Sequence, residues 1–293
     1  MELQQMRYVV AVAETGSFTR AAERCHVVQS ALSHQVAKLE RELGARLFDR
    51  TSRRVALTQA GEAFLPAARQ CLSAAETAAA EVAAVSGVVR GRLAVGVIPT
   101  VAAIDVPAVL AGFRGRHPEV RVVLRTAPSD DLVVQVREGA LDVALLGLPT
   151  SASPVGVRSR ALARDHLVAV LAPDHPLAGA ARTSLARLGG EVFVDFPTGT
   201  AGRAQSDLAF AAAGVERDVA LEVGTVDLMT SLVRRGLGVA MLPAAYVPQL
   251  EGVATVPVDD APRRVEHVVW SERGPSPAAA AFLRAIDVDP SRT

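Results

Sequence analysis

The stretch Gln29–Leu43, QSALSHQVAKLEREL, decides how the chain is read. Leu32, Val36, Leu39 and Leu43 recur at spacings of three and four, one apolar stripe at the helical period. The opposite face carries Ser30, Ser33, His34, Gln35 and Lys38. A short hydrogen-bonding face on a helix docked by its other side suits the major groove, where each base pair offers donors and acceptors to such side chains. An ordinary amphipathic surface helix has the same stripe, so the neighbouring sequence has to decide.

Upstream, residues 2–14 read as a helix with Leu3, Met6, Val9, Val10 and Ala13 on one face, ended by Gly16. Ser17 fits the N-cap of a short helix from Phe18 to Cys25. Ala21 and Ala22 let another helix cross closely, and residues 26–28 turn the chain into the long helix. Helix, short helix, tight turn, polar-faced helix is the helix-turn-helix order. Downstream comes ARLFDRTSRRVALT, residues 45–58. Leu47 and Phe48 plug the core, Arg50, Arg53 and Arg54 surround Thr51-Ser52, and Val55–Leu57 is a short strand. This pattern is a wing, a β-hairpin whose arginine tip reaches phosphates or the minor groove. Residues 58–86 extend the pattern as one long helix, about 40 Å at 1.5 Å per residue, with Pro66 in an early turn. Its alanine-rich stripe suggests packing on a second copy of itself.

Charge is balanced over the 293 residues, 31 Lys and Arg against 31 Asp and Glu. It is uneven by region: residues 1–58 hold nine basic and six acidic side chains, a mildly basic module on a mildly acidic body. Cys25 and Cys71 are the only cysteines. Both are expected as small buried hydrophobes in a reducing compartment, with no metal spacing between them. The N-terminal run lacks a cleavage-site pattern and no segment is long and apolar enough to span a bilayer, so a cytoplasmic location without membrane association is expected.

From Arg90 the pattern alternates strand and helix: strands near 93–99, 120–126 and 141–147, helices near 101–114 and 130–138, then strands near 165–173, 191–197, 218–224, 238–243 and 267–272 with helices near 201–213, 226–235 and 277–286. This predicts an α/β body with a mostly parallel sheet. It also repeats. The run from Val136 through Gly139 to Leu146 resembles that from Val233 through Gly236 to Leu242, the glycines 97 residues apart. Ile98-Pro99-Thr100 echoes Phe196-Pro197-Thr198. Two similar lobes with a cleft between them follow. Thr100, Ser129, Thr198 and Thr225 are then expected at helix N-termini, where free N–H groups favour an anion, and Arg203 could pair with an acidic ligand. For any one of these hydroxyls simple N-capping is the plainer reading; that four fall at echoed positions in facing lobes favours a shared ligand cleft.

The run from Gly16 to Glu62, GSFTRAAERCHVVQSALSHQVAKLERELGARLFDRTSRRVALTQAGE, is similar almost position by position to the DNA-binding signature of the LysR-type transcriptional regulators. HPLA at 175–178 and GLGVAMLP at 236–243 resemble habits of that family's effector domain. The resemblance covers the full length. It implies a winged helix-turn-helix at 1–58, a linker and dimerisation helix at 59–89, and a two-lobed periplasmic-binding-protein-like domain (type 2) at 90–293, with lobe I at 90–163 and 266–293 and lobe II at 164–265. With the polar face and the wing, DNA contacts are expected from Ser17, Thr19, Gln29, Ser30, Ser33, His34, Gln35, Lys38, Arg50, Arg53 and Arg54. The family's effector sites use hydroxyls that match Thr100 and Ser129; with the lobe echo, effector contacts are expected from Pro99, Thr100, Val101, Ser129, Gly147, Phe196, Thr198, Arg203 and Thr225. Expected partners are double-stranded promoter DNA, RNA polymerase if the protein activates, a small-molecule effector (a small carboxylate or other polar metabolite) and further copies of the chain as a dimer of dimers. No cofactor or metal is expected.

Two positions depart from the family. Val28 replaces a usual Ser or Thr, which leaves capping to Gln29 or Ser30. His34 stands where Arg is frequent; histidine is largely neutral at pH 7, so a weaker phosphate or guanine contact follows. An enzyme is disfavoured, since GxSxG, HExxH and a phosphate loop are all missing. A secreted solute-binding protein would need a leader and would not carry the N-terminal module. A DNA-binding regulator that needs no effector is the alternative.

Overall fold

The computed structural model describes residues 1–50, 55–85 and 88–291. The chain divides into two compact units: Met1–Gly91 with Glu138–Ala140, and Arg92–Arg137 with Leu141–Thr293.

In the first unit, α1 (Leu3–Thr15), α2 (Phe18–Arg24) and α3 (Gln29–Leu43) precede a hairpin of β1 (Phe48–Arg50) and β2 (Val55–Leu57), followed by α4 (Gln59–Val85). Gly16 stops α1 at φ 61°, a conformation glycine adopts without a Cβ penalty. Ser17 caps α2 by accepting from the Arg20 N–H. Val28 is the N-cap of α3 and supplies no side-chain bond, so neither Gln29 nor Ser30 takes over the cap. Leu32, Val36 and Leu39 are fully buried against Val9, Val12, Ala21, Leu47 and Phe48, while the fourth stripe residue, Leu43, stays exposed. The Glu40 carboxylate accepts from the Leu47 and Phe48 N–H groups at 2.8 and 3.2 Å, fixing the hairpin to α3. Phe18 and Phe48 meet edge to face at 5.7 Å. Cys25 packs partly buried on this core, but Cys71 is exposed on α4, because its position falls outside the buried stripe of that helix.

The second unit begins with β3 (Gly91–Val97), α5 (Val106–Arg116), β4 (Val120–Thr126), α6 (Ser129–Arg137), β5 (Val143–Pro149) and the 14-residue β6 (Arg158–Leu171). It continues through β7 (Thr183–Ser184), α7 (Leu185–Leu188), β8 (Val192–Asp195), α8 (Ala201–Ala212), β9 (Asp218–Glu222), α9 (Val226–Arg234), β10 (Ala240–Pro243), a 3-10 turn (Ala244–Gln249), β11 (Ala254–Val256), β12 (Val258–Asp259), β13 (Arg263–Trp270) and α10 (Pro277–Ala285).

The main sheet runs β10-β6-β13-β5-β3-β4, with β11 also on β6. β6 serves both lobes. Its residues 158–166 pair with β13, and Leu167–Leu171 pair with β10 and β11. The chain therefore passes into the second lobe after His166 and returns at Arg263. β3 and β5 are parallel, as are β8 and β9, but β13 runs antiparallel to both β5 and β6. The sheet is mixed rather than mostly parallel, because the returning strand enters from the far lobe.

The echo between the lobes is visible in the backbone. Gly139 and Gly236 both have φ 73°, each two residues beyond the last helical residue of α6 or α9. Lobe I packs Ile98, Leu132, Leu141, Leu146 and Val269 together; lobe II packs Leu167, Leu171, Phe193, Phe210 and Met241.

Candidate nucleic-acid interface and ligand cleft

The polar face of α3 is open: Gln29, Ser30 and His34 are exposed, and Ser33, Gln35 and Lys38 half-exposed. Two of these side chains are braced from α1. Gln5, 1% exposed, donates from Nε2 to Gln35 Oε1 at 3.2 Å, while its own Oε1 accepts the Glu2 N–H at 2.9 Å. Lys38 Nζ lies 3.3 Å from Glu2 Oε1. With its carbonyl engaged by Gln5, the Gln35 amide keeps its N–H groups as donors. Thr19 is exposed at the start of α2, beside the cap Ser17. Arg50 ends β1, opposite Val55. Arg53 and Arg54 lie outside the described residues.

The nine expected effector positions fall into three places. Pro99, Val101 and Thr225 line a cavity of about 330 Å³ together with Ile98, Leu110, Leu124, Asp227, Tyr246 and Gln249. Lobe I and lobe II both contribute to its wall. The volume sits at the small end of the range for small-molecule sites. Burial and the neighbouring Asp227 raise the Tyr246 hydroxyl pKa above its ordinary value.

Thr100, Ser129 and Gly147 form a second, closed group, 5% exposed or less at the two hydroxyl residues. Ser129 Oγ bridges the Gly147 N–H and C=O at 3.1 and 3.2 Å, and Gln205 Nε2 donates to the same carbonyl at 3.1 Å. Thr100 Oγ1 accepts from Arg264 Nη1 at 2.9 Å. Arg264 Nη2 contacts Glu266 Oε1 at 3.0 Å, and both residues are 2% exposed. Glu266 in turn accepts the Ala102 N–H at 3.1 Å and the Ala103 N–H at 3.0 Å. A Cβ on Gly147 would lie 2.5 Å from Arg264 Nη2, so the guanidinium occupies the space this glycine leaves. Burial lowers the Arg264 pKa, with Glu266 and Asp165 opposing.

Phe196, Thr198 and Arg203 belong to a third group. Thr198 Oγ1 donates to Glu222 at 2.5 Å. Arg203 is already engaged by Asp207 at 3.0 Å, Glu222 at 3.1 Å and Asp195 at 3.8 Å, which leaves it no free charge for a ligand. Nor do Thr100 and Thr198 begin helices. α5 starts six residues after Thr100 behind the cap Asp105, and α8 is capped by Thr200. Each Pro-Thr turn is followed by extra loop that the sequence pattern hides. Ser129 does begin α6, and Thr225 is the N-cap of α9 without a side-chain cap bond.

Arg264 and Glu266 were not singled out from sequence, nor were Gln5, Asp227 and Tyr246. The signal for the pair was present: in RRVEHVVW the two charges are two residues apart on a strand, hence on one face. A larger hollow of about 660 Å³ lies where β6 and β13 meet, lined by Arg164, Arg182, Arg263 and Arg264 with Asp165 and Asp260; Arg182 is paired with Asp259.

Among the described residues no helix is long and apolar enough to cross a membrane, and no group of three or more His, Cys, Asp or Glu could hold a metal ion.

Comparison with known proteins fits both units. Residues 3–62 match the bacterial regulatory helix-turn-helix protein domain of the lysR family, and residues 86–288 match the LysR substrate binding domain. The uncharacterized HTH-type transcriptional regulator YnfL of Escherichia coli K12 is 35% identical over 292 residues, 96% of each chain. A full-length OxyR variant from Pseudomonas aeruginosa superposes with a TM-score of 0.75 at 25% identity, covering 99% of this chain and 95% of that one. Full-length CbnR complexed with its target DNA gives 0.69 at 26% identity, covering 98% and 99%. With an open reading helix, a two-lobed body and family matches over nearly its whole length, the chain belongs to the LysR family of bacterial helix-turn-helix transcriptional regulators.

Proposed function

We propose that the protein binds promoter DNA sequence-specifically through α3 and the wing, and that a small molecule held between the two lobes changes that binding. The observation that carries this is the pairing, in one chain, of a braced and open polar helix face with a small cavity walled by both lobes. α3 reads base edges with Gln35 and the exposed Ser30 and His34; Lys38, Arg50, Arg53 and Arg54 meet phosphates or the minor groove. The structural neighbour CbnR was solved with its target DNA, which supports the same use of this fold here.

The module boundaries proposed are 1–58 for DNA reading, 59–89 for linking and self-association, and 90–293 for the effector. Val82 and Val85 are 72% and 90% exposed on α4, an apolar edge suited to a second copy of the helix. A dimer of dimers, contact with RNA polymerase on activated promoters and a cytoplasmic location follow from this reading. The ligand bridges Val101 and Leu110 of lobe I to Thr225 and Tyr246 of lobe II. It favours the lobe arrangement it fits and thereby changes the spacing of the reading helices. No cysteine follows Cys71, so the effector domain has no thiol with which to sense an oxidant. Footprinting on DNA upstream of the protein's own gene, with and without metabolite extracts, tests the reading: a protected dyad whose extent changes with a fraction of the extract is expected.

A further inference from the structure

We infer that the effector is an apolar molecule carrying an amine, and that a carboxylate is excluded from the cleft. This rests on the cavity assignment above and narrows the expected class of small polar metabolites. Two independent observations carry it.

The first is that the anion-binding groups after β3 and at the start of α6 are already used by the protein, while the start of α9 at the cavity carries its own carboxylate, Asp227. In the loop after β3, the Ala102 and Ala103 N–H groups form a small nest of the kind that binds carboxylates. Glu266 fills it, with its carboxylate 3.1 and 3.0 Å from the two nitrogens. Its counter-ion is also internal: Arg264 Nη2 is 3.0 Å from Glu266, and Arg264 Nη1 is bound to Thr100. The Ser129 hydroxyl is spent on the Gly147 backbone. A carboxylate entering this nest would have to displace a buried Glu from a buried Arg, leaving that Glu unpaired.

The second observation is the lining of the free cavity. Ile98, Val101, Leu110 and Leu124 give it apolar walls. No Lys, Arg or His lines it, and its carboxylate is Asp227, in the first turn of α9 beside Tyr246. A carboxylate ligand there would lose water, gain no cation and face a like charge. An amine of the same size places its ammonium against Asp227 and its apolar body against the walls, with Tyr246 and Thr225 as hydrogen-bond acceptors.

The test is calorimetric titration of the full-length protein with 2-phenylethylamine and, separately, 3-phenylpropionate, a pair close in shape and opposite in charge. The amine is expected to bind about fivefold more tightly than the acid, in line with one partly exposed ion pair. Asp227→Asn, a surface change that spares the core, should erase that difference. Leu110→Trp, which fills the cavity, should abolish binding of the amine. If the acid binds better than the amine and Leu110→Trp removes it, the cavity is the site but the class inferred here is wrong. If the amine binds and Leu110→Trp leaves it unaffected, the ligand sits elsewhere and the inference falls. If neither compound binds, the cavity assignment falls together with the inference.

Discussion

Gln5 Nε2 lies 3.2 Å from Gln35 Oε1, so a buried residue of α1 sets the orientation of an amide on the reading helix. The same Gln5 closes the capping box of α1 with Glu2. Start of α1 and reading face of α3 are thus one hydrogen-bonded unit. Gln35→Ala is expected to relax base preference at one position of each half-site, a loss of about 1–3 kcal/mol of discrimination, while oligomeric state is unchanged. Gln5→Leu should weaken the same preference and lower the stability of the module by about 1–3 kcal/mol, because Gln35 loses its buried partner. Binding titrations on duplexes substituted position by position measure both; an unchanged preference in both variants removes Gln35 from base readout.

The wing makes a different prediction, since phosphate contacts carry no sequence information. Arg53→Ala should reduce affinity for specific and random duplexes alike and lower the slope of log K against log salt by about 1. A loss confined to one base position would contradict the role.

Inside lobe I, Arg264 and Glu266 are each 2% exposed and depend on each other. Glu266→Ala strands a buried guanidinium and should cost about 3–5 kcal/mol in chemical denaturation. Gly147→Ala should be destabilising too, because the new methyl meets the same guanidinium. An E266A variant of wild-type stability would show that the pair is not closed in solution.

A pH dependence follows from His267 on β13. Burial, with Arg164 nearby, lowers its pKa below the ordinary histidine value, and neither ring nitrogen has a hydrogen-bond partner among the described residues. The unfolded chain therefore binds a proton at a higher pH than the folded one. The stability tied to neutral His267 is complete above about pH 6.5, the unfolded value, and declines as pH falls below it. His117, lowered by burial and by Arg116 and Arg284, acts in the same direction. Urea midpoints at pH 7.5 and 5.5 should differ accordingly, and His267→Leu should reduce the difference; an unaltered difference would assign it to other groups.

Much of the DNA-reading module was legible because its signals are local. The stripe Leu32, Val36, Leu39, the cap Ser17 and the stop Gly16 each act within a few residues, and helix α3 falls on Gln29–Leu43 as its period predicts. The effector body was legible as two echoing lobes, down to the shared backbone conformation of Gly139 and Gly236. The cleft was legible in part. Pro99, Val101 and Thr225 line the cavity as the pattern suggests, whereas Thr100 is bound by Arg264 from a strand far along the chain and Ser129 by the backbone of Gly147. Long-range pairing also hid the length of β13, whose Arg263-Arg264-Val265-Glu266 start reads as a charged loop until it is seen between β5 and β6.

The central claim is that α3 reads sequence in DNA. It is tested most directly by repeated selection of bound duplexes from a random-sequence pool with the purified full-length protein, followed by sequencing. The account predicts enrichment of a dyad-symmetric motif, with the Gln35→Ala protein enriching the same motif relaxed at one position per half-site. Retention of the pool without any enriched motif would contradict it.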